Sequence, residues 1–398
     1  MSIFTPHSSI LWRQVWGLAA MLAAIVVSLM IYGMYQSQIL SDLGFVQLVA
    51  ILGIIQGLIG SVMEPLVGGL SDRILRQYGS RLPQITIGVT LAGLLFALIA
   101  ILLPANLPGG FRWLFLLLMG VWLAAMIAIR GPVVALLIQF APTQELPIAN
   151  AIVMTVLGLV GALNPILETV FRQLGKSFSF LMGAIILIVG AILFLKNIPR
   201  HTIAALPMPP VPSKSPSIIQ RRLIFISLVG IGAGLEINMI FAILIPHLQI
   251  EISFLPKAMI SAIVLLIAAI SAHPWGWWTS RWGAAKSMQL GLGSLVLLMA
   301  IALFPINSIM AVFLLISCGI ALGLVFTSMV PFALSSVPFH QTGLSTGLYF
   351  GGNSAGLTLL LILKHFIGVI NLATSLSLAA IAFAISTYCL HCCRGVRE

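Results

Sequence analysis

Apolar residues dominate long stretches of this chain, and polar residues mark where each stretch ends. Twelve runs of about twenty or more residues are visible. They cover about 14–37, 43–70, 84–103, 112–139, 148–171 and 177–196, then about 223–246, 254–279, 287–305, 308–331, 343–364 and 369–390. Each is long enough to cross a hydrocarbon core of about 30 Å as a helix. The apolar positions follow one another continuously instead of alternating, which argues against a lipid-facing barrel. In lipid a helix satisfies its own backbone groups, so the pattern predicts an all-α membrane protein of about twelve spans.

The polar segments organise these spans. The longest, 197–222, contains Pro199, Pro207, Pro209, Pro210, Pro212 and Pro216 among basic residues. Such a segment is an extended linker, not a packed element. It divides the spans six and six, into an N-terminal bundle over 1–196, the Pro-rich linker over 197–222 and a C-terminal bundle over 223–398. With the N-terminus inside, thirteen of the nineteen Lys and Arg residues fall on the inner side and five on the outer, and only Arg130 lies within a span. Basic residues favour the cytoplasmic side, so the linker and both termini are expected there, as in a bacterial inner membrane. The first apolar run follows Arg13 and has no small-residue cleavage site after it, which points to a retained span instead of a removed signal.

Composition sharpens this picture. The 398 residues are 60% hydrophobic and 7% charged, with a mean hydropathy of +1.17. Soluble domains carry about 25% charged residues, so this chain cannot clothe itself for water. The net charge of +11 does not indicate nucleic acid, because the basic residues sit in loops between apolar runs. Cys318, Cys389, Cys392 and Cys393 lack the spacing of a metal site. No phosphate-binding loop or nucleophile–base grouping is present, so no enzyme activity, cofactor or resident metal is expected.

An internal echo supports two similar halves. Gly68-Gly-Leu-Ser-Asp-Arg73 follows span two, and Gly276-Trp-Trp-Thr-Ser-Arg281 follows span eight. Pro132-Val-Val-Ala-Leu136 follows span four, and Pro331-Phe-Ala-Leu334 closes span ten. Paired six-helix bundles of this kind are common in secondary transporters. The first turn is the richer one: Gly68 and Gly69 allow close helix approach. Asp72 can pair with Arg73 or Arg76, or cap a helix N-terminus. Arg81 and Pro83 complete the segment. Only the first half keeps the acid, since Ser280 stands opposite Asp72. The segment with Gly68, Gly69, Asp72, Arg73, Arg76 and Arg81, together with Gly276 and Arg281, is therefore read as gating machinery.

These residues resemble the signature of the major facilitator superfamily between spans two and three. The longer pattern from Glu64-Pro65 to Arg81-Leu-Pro83, with Arg130-Gly-Pro-Val-Val-Ala-Leu136 and Ala149-Asn150-Ala151, is similar to a narrower group. That group holds the glycoside–pentoside–hexuronide cation symporters, the sucrose transporters and the bacteriochlorophyll-delivery family. The resemblance implies two pseudo-symmetric six-helix bundles and alternating access. Departures are visible: Gln139 replaces an acid, Gly60 stands where the melibiose-type symporters carry a second acid, and span one has none.

Charges and amides within the spans are the candidate chemistry, because each is costly there. Glu64 in span two and Arg130 in span four differ in depth by roughly 5 Å at 1.5 Å per residue, close enough to pair. They form either a fixed structural pair or a site where Glu64 takes a proton or cation and frees Arg130 for an anionic substrate. Glu236, with Asn238 nearby, lies mid-way along span seven, which lines the cavity in the resembled superfamily. It is either a substrate or proton group or a buried neutral carboxyl. Glu168 and Arg172 form a local pair at i,i+4. Asn164-Pro165 and Gly351-Gly-Asn353-Ser354 mark polar breaks that line the cavity or bend the helix. The functional expectation is a secondary transporter of a small neutral or weakly charged organic solute, with Glu64 or Glu236 as the proton-linked acid. The alternative is a non-transporting assembly or pigment-delivery factor on the same fold.

Overall fold

The computed structural model describes residues 9–104, 111–198, 216–368 and 370–394. Most of the Pro-rich linker, 199–215, lies outside these residues. Among the described residues the protein is helical, without strands. The first half contains α1 (Trp12–Asp42), α2 (Val46–Tyr78), α3 (Leu82–Leu102) and α4 (Arg112–Ala135). A short α5 (Leu137–Phe140) leads to α6 (Leu146–Ala162), α7 (Asn164–Leu174) and α8 (Lys176–Asn197). The second half contains α9 (Pro216–Met239), a π-helical turn over Ile240–Leu244, α10 (Ile245–Glu251) and α11 (Lys257–Trp282). It continues with α12 (Ala284–Ile301), α13 (Ser308–Ser335), α14 (Thr342–Ile367) and α15 (Leu372–Arg394). Eleven helical segments are long and apolar enough to cross a membrane, and α6 with α7 makes a twelfth span bent by 53°.

The bend falls at Leu163–Asn164, where Pro165 removes a backbone donor from the ladder. Pro246 stands just after the π turn in the same way, and an insertion of one residue per turn lets the ladder step around it. Two expectations change. Gly68–Arg73 is not a turn but the helical continuation of α2, which runs on to Tyr78 before Gly79 ends it with φ +68°. The Gly351–Ser354 stretch does not break its helix either, because α14 is continuous from Thr342 to Ile367. In both segments a neighbouring helix packs directly on the small residues.

Two sets of contacts fix the ends of the molecule. At one end, Leu11 N donates to Phe140 O at 2.8 Å and Arg13 Nε donates to Asn197 Oδ1 at 2.9 Å. Asp72 lies at this end. At the other, Lys176 pairs with Asp42, and Arg112 covers the Phe45 ring.

Buried side chains gather into two cores. The first draws on α1 and α3 to α8, with α2 adding only the partly buried Leu48, Val49 and Leu52, and the second on α9 to α15. Trp122, fully buried, stacks on Phe96 at 4.0 Å between centroids and on Tyr32 at 4.6 Å, and Phe96 meets Phe180 edge-on at 4.9 Å. This stack ties α1, α3, α4 and α8 together. Ala272, Val330 and Leu334, from the second half of the chain, are buried in the first core. Phe326, Met329 and Phe350 pack against both.

Because lipid tails are as apolar as leucine, such packing is a main source of helix association. Trp122→Ala leaves a cavity in the stack and is expected to destabilise the first half by about 3 kcal/mol, with a clearly smaller effect for Trp122→Phe. Thermal unfolding of the purified protein in detergent measures it. An unchanged midpoint for Trp122→Ala would show that the stack contributes little.

Candidate functional site

The two halves meet along α2 against α14 and along α6 against α11. Near Asp72 the first of these contacts is backbone to backbone. A Cβ on Gly68 would lie 2.2 Å from Gly343 O, and one on Gly343 would lie 2.7 Å from Gly68 O. Glycine is required at both positions, since any side chain would force the helices apart.

This approach lets Asp72 reach across the divide. Its Oδ1 accepts from Gly343 N at 2.9 Å and its Oδ2 from Leu344 N at 2.7 Å. These N–H groups belong to the first turn of α14, where helix donors lack intrahelical partners and the dipole favours a negative charge. Arg81 completes the arrangement. Its Nη2 donates to Asp72 Oδ1 at 2.6 Å and to Thr342 Oγ1 at 2.8 Å, and its Nη1 donates to Ala135 O at 3.1 Å. Arg81 is completely buried. That burial pulls its guanidinium below the ordinary value, and the neighbouring Asp72 carboxylate opposes the shift. Asp72 therefore pairs with Arg81 and with the α14 N-terminus, not with Arg73 or Arg76, both of which are exposed on α2. Gly69 faces Leu344 at ordinary contact distance.

The second contact has the same shape without the charge. A Cβ on Gly276 would lie 2.7 Å from Ala151 Cβ and 3.0 Å from Pro147 O, so α11 packs on the start of α6 as α2 packs on α14. Ser280 turns back to Trp277 O at 2.7 Å, and Arg281 covers the Trp277 ring at 3.4 Å. Asn150 adds a link that the sequence did not single out as functional. Its Nδ2 donates to Thr327 O at 2.9 Å and Phe326 O at 3.1 Å. These contacts join the two halves at the Asp72 end.

Deeper in the interface, the structure brings Glu64 and Arg130 together. Arg130 Nη2 donates to Glu64 Oε1. Glu64 is buried, whereas the Arg130 side chain is 34% exposed. Glu64 Oε2 and Arg130 Nε are buried and have no hydrogen-bond partner. Arg130 Cζ lies 5.3 Å from the centroid of Phe350 on α14, a cation–π contact between halves. The Gln139 amide nitrogen is buried without a partner, and Ala135 O accepts from Arg81 Nη1.

The other candidates lie apart. Glu236, read either as a substrate or proton group or as a buried neutral carboxyl, is fully buried, on the face of α9 that carries Gly232, Ala233 and Met239 inward. Asn238 occupies a different face and donates to Gly234 O at 2.7 Å. Asn353 sits where α14 presses on α9, with its carbonyl oxygen 2.3 Å from the Gly234 Cβ position. Asn164 lines a cavity of ≈ 210 Å³ with Met30, Met34, Leu167, Glu168 and Phe171. Glu168 accepts from Arg172 Nη2 at 2.7 Å as a local pair. Thr342 and Phe350 escaped the sequence reading. The four-residue spacing of Gly343, Gly347 and Gly351 was the available signal that α14 meets another helix closely.

Comparison with known proteins fits this geometry. Residues 17–361 match the Major Facilitator Superfamily. No curated protein matches the chain in sequence. Among solved structures, the crystal structure of the human organic anion transporter TETRAN superposes with a TM-score of 0.66 at 13% identity, covering 96% of this chain and 99% of that one. The E. coli fucose:proton symporter gives 0.64 at 13% identity, covering 95% and 97%. A bacterial homologue of the iron transporter ferroportin, in an outward-facing state, gives 0.65 at 11% identity, covering 96% and 98%. The chain belongs to the Major Facilitator Superfamily, and it is an integral multi-pass membrane transporter, not an enzyme.

Asp72→Asn keeps the shape of the contact but leaves Arg81 buried without its counter-charge. The closed state at this end is expected to lose at least about 2 kcal/mol. Disulfide trapping between cysteines placed on exposed Arg73 and on half-buried His340, just before α14, measures the closed population. Equal trapping in Asp72→Asn and the parent would contradict a latch at this position.

Proposed function

We propose that this Major Facilitator Superfamily member moves a small organic solute bearing one anionic group across the membrane by alternating access, coupled to protons. The observation that carries this is the Glu64–Arg130 pair. It joins a buried carboxylate to a guanidinium that remains about one-third exposed and touches the opposite half through Phe350. A structural pair needs no exposed face on the cation. A planar guanidinium with open donors suits a carboxylate or similar anion, which it can bind through two parallel hydrogen bonds.

In this scheme the substrate anion takes the place of the Glu64 carboxylate on Arg130. Glu64, then unpaired in a low-dielectric interface, accepts a proton and becomes neutral. Phe350 reports the exchange to α14, because the cation it covers has changed partner. The Asp72 latch holds one end closed while the site is loaded from the other. The excess of basic residues at the Asp72 end supports assigning it to the cytoplasm. The division into a bundle before the linker and a bundle after it is supported by the two buried cores. That an organic anion transporter and a sugar–proton symporter share this fold makes such a cargo compatible with the architecture.

Counterflow in proteoliposomes, run with radiolabelled monocarboxylates beside neutral sugars under an imposed proton gradient, tests the scheme. An anionic solute is expected to be carried, with Arg130→Gln lowering its flux at least about tenfold, equivalent to about 1.4 kcal/mol. Glu64→Gln is expected to retain exchange and lose accumulation driven by the proton gradient. Transport of neutral sugars alone, insensitive to Arg130→Gln, would overturn the assignment.

A further inference from the structure

Three acids are buried among the described residues: Glu64, Asp72 and Glu236. The first two each face an arginine. Glu236 does not: both of its carboxyl oxygens are buried without a hydrogen-bond partner. An ionised carboxylate left like this in an apolar core costs many kcal/mol, so in this conformation the group is a neutral acid.

Its surroundings are unusual for a core. Tyr349 on α14 and Ser386 on α15 are fully buried, and neither hydroxyl has a partner. Ser386 Oγ lies 2.1 Å from the position of a Cβ on Gly232, one helical turn from Glu236 on the same face of α9. The Tyr349 backbone presses on Gly230, with its carbonyl oxygen 2.3 Å from that glycine's Cβ position, and its side chain enters the second core. Three helices therefore place unsatisfied hydroxyls and one unsatisfied carboxyl in a single apolar interior. The π turn at Ile240–Leu244 begins one turn beyond Glu236, and such insertions mark helices that change register at functional sites. Of the titratable groups on the helices packed against α9, Tyr349 shares this interior. Cys389 on α15 is about two turns away, Tyr388 is exposed and meets Phe225 nearer the start of α9, and Cys392, Cys393, Lys286, Lys364, His365 and His391 sit near helix ends.

We propose that Glu236, with Tyr349 and Ser386, forms a second proton-binding site inside the C-terminal half, separate from Glu64, whose occupancy sets which end of the molecule is open. In the conformation closed at the Asp72 end, Glu236 holds the proton on its carboxyl. When α9 shifts against α14 and α15, water reaches the group and takes the proton. The carboxylate left behind accepts hydrogen bonds from the Tyr349 and Ser386 hydroxyls. This inference rests on the transport scheme above. Without substrate, Glu64 stays paired with Arg130, so a substrate-free pH response isolates Glu236.

The experiment needs no known solute. Spin labels on Ser41→Cys and Ser253→Cys, in a Cys392→Ser background reconstituted in nanodiscs, report the separation of the two halves at the Asp42 end. The ratio of open to closed populations is expected to change roughly tenfold or more between about pH 5 and about pH 9, as proton linkage requires. Glu236→Gln should hold the low-pH distribution at every pH, and Tyr349→Phe should displace the midpoint. Infrared spectra at neutral pH provide a measurement independent of the labels: a carboxylic-acid band present in the parent should vanish in Glu236→Gln. A pH response that survives Glu236→Gln, or one that Glu64→Gln abolishes instead, overturns the inference, as does its absence from the parent. A pH response confined to Glu236 together with failed counterflow would overturn the transport scheme alone.

Discussion

Everything at the closed end depends on one steric fact: α2 and α14 touch through their backbones at Gly68 and Gly343. Only at that separation can the short Asp72 side chain accept hydrogen bonds from the first turn of α14. Arg81 can bridge to Thr342 for the same reason. Buried ion pairs are poor stabilisers on their own, because desolvation offsets most of their attraction. This one gains by ending on N–H groups that would otherwise lack partners when the helix start is buried. It therefore contributes chiefly to one conformation, the one in which the two helices meet. An interaction restricted to one of two states is what allows a switch.

The pseudo-symmetry of the halves makes the charge informative. At the matching contact, Gly276 against the start of α6, the helices approach closely but no acid crosses. Glu145, at the N-cap position of α6, already supplies a negative charge from that helix itself. The two joints share a shape and differ in their electrostatics. The α6–α11 joint is held by packing and by a neutral hydrogen bond from Thr155 to Ala269 O, and Asn150 adds neutral bonds from α6 to α13 beside it.

The sequence made the span count and the halves legible because lipid constrains both. An uncharged run of twenty residues has few alternatives in a bilayer, and basic loops have a preferred side. The Glu64–Arg130 pair was legible because helix rise converts sequence position into depth. Less could be read where a contact depends on the partner's surface. Gly68–Arg73 looked like a turn because glycine and charge mark turns in isolation, yet α14 packed alongside keeps it helical. For Glu236 the mid-span position was compatible with both a cavity group and a buried carboxyl, because depth along a helix does not determine the face. The apolar neighbours one turn away, Gly232, Ala233, Met239 and Ile240, carried that information.

In the proposed scheme, charge balance also restricts what the Arg130 site can carry. Glu64 and Arg130 together are neutral, and the interface around them is apolar, with Phe350 over the guanidinium. Adding an anion alone would leave a net negative charge to cross a low-dielectric barrier during rocking. Adding a neutral solute would leave the ion pair intact and give Glu64 no reason to exchange. An anion entering with one proton restores neutrality and supplies the differential interaction that a conformational change requires. A strongly charged cargo would need further counter-charges, and among the described residues the interface holds few beyond this pair. A solute with one anionic group, brought in with one proton, fits both the charge count and the asymmetric exposure of Glu64 and Arg130.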